Sequence, residues 1–191
     1  MKKRIVVGIS GASGAILAVR LLEALRQNPQ CESHLIISEG AKFTIEQETG
    51  LSVAQVEALA DVVHPLYDMA ASISSGTFET AGMVILPCSM KTVAGVAAGY
   101  SSNLILRAAD VTLKERRRLI LVARESPLSL IHLKNMTEVT QAGAMILPPM
   151  MTFYNDPKSI EDMTHHIVCK TLSALGLDCE GYKRWKDECD G

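Results

Sequence analysis

The run Met83-Val84-Ile85-Leu86-Pro87-Cys88-Ser89-Met90-Lys91-Thr92-Val93-Ala94-Gly95 decides how this chain folds. An apolar strand stops at a proline, and a polar loop opens straight into a helix of small residues. In an open parallel sheet such loops stand at the carboxyl ends of strands, where helix N-termini and free backbone N–H groups converge on ligands. Ser89 and Thr92 supply hydroxyls, Lys91 a charge, and Pro87 a fixed turn.

Outward from this run, short Val, Ile and Leu stretches alternate with longer segments of helical period, the pattern of a parallel sheet wrapped by helices. Strands are expected at Arg4 to Ile9, His34 to Ile37, Asp61 to His64, Met83 to Leu86, Leu119 to Ala123 and Ala144 to Leu147. Apart from Asp61 to His64 they are apolar throughout, as when both faces are covered. Helices are expected at Ala15 to Gln27, Ala41 to Glu48, Val53 to Ala60, Thr92 to Gly99, Leu104 to Arg117, Leu130 to Gln141 and Ser159 to Leu175. Right-handed crossovers then give an α/β doubly wound parallel sheet, a Rossmann-like or flavodoxin-like three-layer sandwich. Residues 1–191 read as a single domain with a charged C-terminal arm from about 178 to 191, either frayed or packed on another subunit.

Apolar residues make up 48% of the 191, which excludes intrinsic disorder. Lys and Arg number 19 against 21 Asp and Glu, so no global field attracts nucleic acid or an anionic membrane. Lys2-Lys3-Arg4 before apolar residues superficially resembles a leader, but Gly8, Gly11 and Gly14 interrupt it. No stretch offers the roughly 20 unbroken apolar residues of a membrane span. The expectation is a soluble cytoplasmic protein. Cys31, Cys88, Cys169, Cys179 and Cys189 form an odd set without a C-x-x-C pair, which reads as reduced thiols rather than a disulfide framework or a zinc site.

The strand ends carry Ser10-Gly11-Ala12-Ser13-Gly14, Ser38-Glu39-Gly40, Pro87 to Thr92, Arg124-Glu125-Ser126-Pro127, and Pro148 to Tyr154. All five clusters fall on one edge of the expected sheet. The glycines of the first let backbone N–H groups approach a phosphate or a flat ring. Gly8-Ile9-Ser10 breaks the dinucleotide fingerprint, and Ser38 stands where an acidic ribose ligand would end the second strand.

Arg124 and Glu125 leave an apolar strand and read either as an ion pair or as a flavin or phosphate donor beside a proton carrier. Arg107 sits among Leu104, Ile105, Ala108 and Val111 and needs a counter-ion, with Asp110 three residues on. Met90, Met136, Met145, Met150 and Met151 read as core filler. The histidines show no ligand spacing, so no metal is expected, and Cys88 is a candidate thiol at a helix N-terminus.

Gly11-Ala12-Ser13-Gly14, Ser38, Ser75-Gly76-Thr77-Phe78, Pro87-Cys88-Ser89-Met90-Lys91-Thr92, Asn103-Leu104 with Arg107-Ala108-Ala109-Asp110, Lys114-Glu115-Arg116, Arg124-Glu125-Ser126-Pro127, His132 to Met136 and Phe153-Tyr154 together resemble the UbiX-like flavin prenyltransferases. The resemblance runs over nearly the whole chain. It implies a homo-oligomer, usually a dodecamer, that joins a dimethylallyl group from dimethylallyl monophosphate to N5 and C6 of reduced FMN. The product, prenylated FMN, serves a UbiD-type aromatic-acid decarboxylase. Carried over by position, Gly11, Ala12, Ser13, Ser38, Ser89, Met90, Lys91, Thr92 and Arg124 would bind FMN. Tyr154 and Lys170 would hold the substrate phosphate, with Arg107 and Lys114 assisting from a neighbouring subunit. Lys170 departs from the Arg of many relatives, exchanging a bidentate fork for a point charge.

Ionising an allylic phosphate needs cations and hydroxyls on the leaving group and an apolar place for the carbocation. Lys170, Lys114, Arg107 and Tyr154 suit the first need, and the reduced flavin with Phe78 the second. Glu125 is the expected proton relay, with Ser13 or released phosphate as immediate base. Two other readings stay open. One is an FMN-dependent cysteine-type decarboxylase, whose Pro-Ala-Ser-Ala-Asn-Thr loop and Pro-x-Met-Asn segment are not matched here. The other is a non-catalytic FMN-binding subunit of a decarboxylase.

Overall fold

The computed structural model describes residues 2–186. Its strands are β1 (Lys3–Ile9), β2 (Cys31–Ile37), β3 (Val62–His64), β4 (Gly82–Cys88), β5 (Arg118–Ala123) and β6 (Met145–Ile146). They form one parallel six-stranded sheet in the order β3-β2-β1-β4-β5-β6. This is the Rossmann order rather than the flavodoxin order, and it reverses direction between β1 and β4.

Helices α1 (Ala15–Gln27), α2 (Glu39–Thr49), α3 (Val53–Glu57) and α7 (Ile160–Leu175) cover one face, while α4 (Met90–Ala97), α5 (Leu104–Lys114) and α6 (Leu130–Gln141) cover the other. The division follows from strand alternation. Ile5, Val7 and Ile9 of β1 meet Leu17, Leu21 and Leu22 of α1 in one core. Val6, Met83 and Ile85 meet Leu104, Ile105 and Ala108 of α5 in the other. Each such side chain removed from water contributes about 1.5–3 kcal/mol.

The helices begin where side chains can cap them. Ser38, Ser52, Ser89, Asn103, Ser129 and Ser159 each accept a backbone N–H in the first turn of α2 to α7 respectively. α1 differs, since Gly14 precedes it at φ 111° with no side chain to offer. The expected boundaries of α1 and α6 coincide with those observed.

Other elements depart from expectation. β4 does not stop at Pro87 but runs on to Cys88, with a register irregularity between Ile85 and Cys88 before pairing resumes at Ala123. The proline lacks an N–H, yet its carbonyl still accepts from Ser10. α5 ends at Lys114 rather than Arg117, because Arg116 turns into the left-handed region at φ 57°. The arm after α7 packs on its own chain: the Tyr182 ring lies 5.1 Å from His166, and Trp185 stands edge-on to Tyr154 at 5.3 Å. Residues 187–191 of the expected arm, with Cys189, lie outside the described residues. Among the described residues no helix is long and apolar enough to cross a membrane.

Candidate active site

The crevice opens where the strand order reverses. Ser10, buried at the end of β1, donates its hydroxyl to the Pro87 carbonyl at 2.9 Å and accepts the Ser89 N–H at 2.8 Å. One side chain thus ties the ends of β1 and β4 together and aims the start of α4. Ser89 then caps α4, accepting the Thr92 N–H at 3.4 Å, with the Thr92 hydroxyl 3.1 Å away. On the other flank Ser38 caps α2 by accepting the Ala41 N–H at 3.2 Å. Between these two helix N-termini Gly11 meets Gly40, and a Cβ on Gly11 would stand 3.1 Å from the Gly40 backbone.

The resulting cleft of about 590 Å³ has a polar end formed by Ser10, Gly11, Ser38, Ser89, Lys91 and Thr92. Leu66, Gly95, Ile105 and Leu106 line its apolar side. Two positive helix ends, hydroxyls and the Lys91 ammonium suit a phosphate. The glycine contact and apolar wall suit a flat ring, so the residues present fit FMN. Met90 points into the core at 7% exposure and Ala12 is also buried, so only their backbones can face a ligand.

The α1 N-terminus is already taken. Glu48, at the end of α2, accepts the Gly14 N–H at 2.8 Å and the Ala15 N–H at 2.9 Å through Oε2. Burial pushes its pKa up, but those N–H groups, the Ser13 hydroxyl and the Arg124 charge outweigh burial and hold it below the ordinary 4.5. Glu48 is the functional candidate that the sequence reading missed. The available signal was a helix whose first turn has no capping side chain and no acid, so that its orphan donors needed a carboxylate from elsewhere. Arg124 and Glu125 are both exposed rather than desolvated and form no ion pair with each other among the described residues. Glu125 instead accepts the Ser126 N–H at 3.0 Å.

Tyr154 and Lys170 meet in a separate cavity of about 130 Å³, together with His166 and Tyr182. The Tyr154 hydroxyl lies 3.3 Å from His166 Nε2. Burial first, then the Lys170 charge, keeps His166 below the usual histidine pKa, so its neutral ring can pair with the phenol. Arg107 and Lys114 line a third cavity of about 630 Å³ with Ser74, Gly76 and Arg117. The three cavities share no lining residue. Arg107 has its counter-ion in Asp110 at 2.8 Å and also donates to the Ser74 carbonyl at 3.1 Å, while Lys114 pairs with Glu115.

Several expectations need correction. Phe78, expected beside the flavin as a support for the carbocation, lines none of the three cavities: the Arg4 guanidinium lies 4.4 Å over its ring and His34 stands edge-on at 5.3 Å. Cys88 is fully buried, which pushes its thiol pKa far up and removes it as a reactive group. Met145, Met150 and Met151 are exposed instead of filling core, Met145 because β6 is the edge strand, and Met150, at 71%, and Met151 because the segment after β6 leaves the sheet without regular structure. Cys169 and Cys179 are not free thiols but a disulfide, with Cα atoms 5.2 Å apart. A turn at Gly176 folds the arm back along α7 and brings together cysteines that no sequence spacing marked.

Comparison with known proteins agrees with this geometry. The flavoprotein family matches residues 1–172. A probable UbiX-like flavin prenyltransferase of Sedimentibacter hydroxybenzoicus is 51% identical over 187 residues, covering 98% of this chain and 99% of the relative. The chain belongs to the UbiX-like flavin prenyltransferases. The crystal structure of AnUbiX (PadA1) in complex with FMN and dimethylallyl pyrophosphate superposes on this family member at a TM-score of 0.95, with 51% identity and coverage of 97% and 98%. A dodecameric FMN-dependent UbiX-like decarboxylase from Escherichia coli O157:H7 matches it at a TM-score of 0.93, with 52% identity over 95% of this chain and 98% of that one.

Proposed function

We propose that this chain joins the dimethylallyl group of dimethylallyl monophosphate to N5 and C6 of reduced FMN and passes the product to a UbiD-type aromatic-acid decarboxylase. The observation that carries the reading is the Ser10–Ser89–Pro87 tie, which builds a phosphate-and-ring cleft in a chain half identical to prenyltransferases along its length. Reduced FMN supplies the electron-rich N5 and C6 atoms. In the net reaction the substrate C1–O bond breaks with its electron pair going to phosphate. N5 and C6 each exchange a proton for a bond to carbon. One proton returns to the former alkene, and one leaves with phosphate.

The residues divide this work. Ser38, Ser89, Lys91 and Thr92, with the backbone of Gly11, Ala12 and Met90, orient the cofactor, and Arg124 closes its mouth. Tyr154 donates to the substrate phosphate and Lys170 neutralises it as the leaving group gains charge. Arg107 and Lys114 join them from a neighbouring subunit. The exposed Leu130, Ile131, Met150 and Phe153 give such a subunit an apolar surface to cover, which supports a homo-oligomer, with a dodecamer as the proposed size. Ser13, hydrogen-bonded to Glu48, takes the flavin proton and Glu48 accepts it in turn, with Glu125 relaying it to the departing phosphate. The cytoplasm, where reduced flavin and an allylic phosphate would meet, is the proposed location.

The test is anaerobic incubation of the pure protein with reduced FMN and dimethylallyl monophosphate, followed by mass measurement of the flavin. The expected product is heavier by one isoprenoid unit, and an unchanged flavin overturns the reading. A cysteine-type decarboxylase would instead release carbon dioxide from a peptidyl or pantothenoyl cysteine in the same vessel.

A further inference from the structure

We infer that Cys169 and Cys179 are a thiol–disulfide exchange site whose state sets how firmly the C-terminal segment walls the Tyr154–Lys170 cavity. Cys169 is fully buried on α7, immediately before Lys170 and three residues after His166, so the cross-link is anchored between two polar groups of that cavity. Cys179 stands beyond the α7 C-cap Gly176, on the segment that folds back. Past the bond, the Glu180 carbonyl lies 2.9 Å from His165 Nε2, Tyr182 lines the cavity against His166, and Trp185 meets Tyr154 edge-on. Beside these ring and carbonyl contacts, the disulfide is the covalent tie between segment and helix.

His165 equips the site for exchange. It is exposed, and its Nε2 lies 3.3 Å from Cys169 Sγ. A ring N–H at that position can donate to the Cys169 sulfur as it leaves with the electron pair of the broken S–S bond. Reduction by a dithiol proceeds by thiolate attack on one sulfur, giving a mixed disulfide that the second thiol of the reductant resolves. Two electrons pass to the protein, which gains two thiols, and the reductant leaves as its own disulfide. Re-formation by a disulfide oxidant is the reverse. With the bond intact the cavity wall is pre-organised for a phosphate ester. With it cut, ordering the segment costs part of the binding energy.

The ligand class rests on the proposed function, but the test does not depend on it alone. Trp185 is the single tryptophan of the chain and reports the segment directly. All proteins compared carry Cys189→Ser and a metal chelator, so that only this pair exchanges. Peptide mapping of the oxidised holoprotein is expected to recover the Cys169–Cys179 cross-link. Dithiol treatment is expected to shift Trp185 emission to the red and raise KM for dimethylallyl monophosphate several-fold, with FMN binding unchanged. Cys179→Ser and Cys169→Ser should each behave as the reduced protein with or without dithiol. Absence of the cross-link, or emission and KM that are the same in both redox states, overturns the inference. Should no prenylated flavin form in either state, the proposed function fails while mapping and emission still judge the switch.

Discussion

Glu48 accepts the Gly14 N–H at 2.8 Å, so the last turn of α2 caps the first turn of α1. Losing a helix cap costs about 1 kcal/mol. Glu48→Ala is expected to lower the unfolding free energy by that amount, read as a lower urea midpoint with an unchanged slope, whereas Glu48→Gln keeps an acceptor oxygen and most of the stability. If Glu48 also takes the flavin proton, Glu48→Gln should still slow single-turnover prenylation by roughly 100-fold. A Gln variant that is as stable and as fast as the parent confines Glu48 to capping.

Glu125 is tested in the same assay. Its side chain is exposed and accepts the Ser126 N–H, as a Gln oxygen also can, so Glu125→Gln should leave FMN retention and thermal stability untouched. The prenylation rate should fall by about 100-fold, the lower end of what a proton-carrying group supplies. Parental turnover removes Glu125 from the proton path.

Ser10 is the third target. Ser10→Ala leaves the half-buried Ser89 N–H without its acceptor and the Pro87 carbonyl with the Ser10 N–H alone, at about 1–3 kcal/mol. Because the same hydroxyl aims the start of α4, FMN should dissociate faster as well. Flavin release measured below the melting temperature separates the two effects, and an unchanged release rate would show that the tie serves stability alone.

Lys170 is the fourth. Lys170→Arg restores a planar fork for phosphate and is expected to lower KM for dimethylallyl monophosphate by up to roughly tenfold with little change in kcat. Tyr154→Phe removes one donor and should raise KM by a similar factor. Steady-state kinetics at saturating reduced FMN read both. A rise in KM for Lys170→Arg would mean that the cavity walled by His166 and Tyr182 is shaped for an ammonium.

Acid should unfold the protein in two stages. His64, 2.9 Å from His34, has its pKa held below the ordinary 6.5 by burial first and by His34 second. A depressed histidine is neutral in the fold while the unfolded chain takes up the proton, so its stabilisation is complete above 6.5 and declines as pH falls through that value. Glu32, held below 4.5 chiefly by its hydrogen bond to His34, adds stability present above 4.5 and lost as pH falls through its lower folded value. Asp61, held below 3.8 chiefly by the Ser33 N–H, does the same further down. Thermal melting across this range is expected to show both declines, and His64→Gln should shrink the first, to which the depressed His166 also contributes.

The parallel sheet was legible because five strands are apolar throughout, which leaves few other folds for them. The cleft was legible because its groups, Ser10, Ser38, Ser89 and Thr92, lie within a few residues of strand ends, where Ser38 and Ser89 cap the helices that follow. Glu48 was not, since it reaches α1 from the far end of another helix. Nor was the Cys169–Cys179 pair, which depends on a reversal at Gly176. The exposed methionines were misjudged because side-chain chemistry says nothing about whether a segment stays on the sheet.

The contact between Gly11 and Gly40 gives the cleft a width gauge. Two strand-end turns touch there through residues that carry only hydrogen, so each added carbon acts as a shim between β1 and the start of α2. With a methyl at position 11 only 3.1 Å from the Gly40 backbone, the shim has nowhere to go except into the spacing of the turns. Gly11→Ala therefore offers a handle on which ring systems the protein admits, independent of any group that forms or breaks a bond, with Gly40→Ala, whose methyl would meet Gly11 at an ordinary 3.5 Å, as its control.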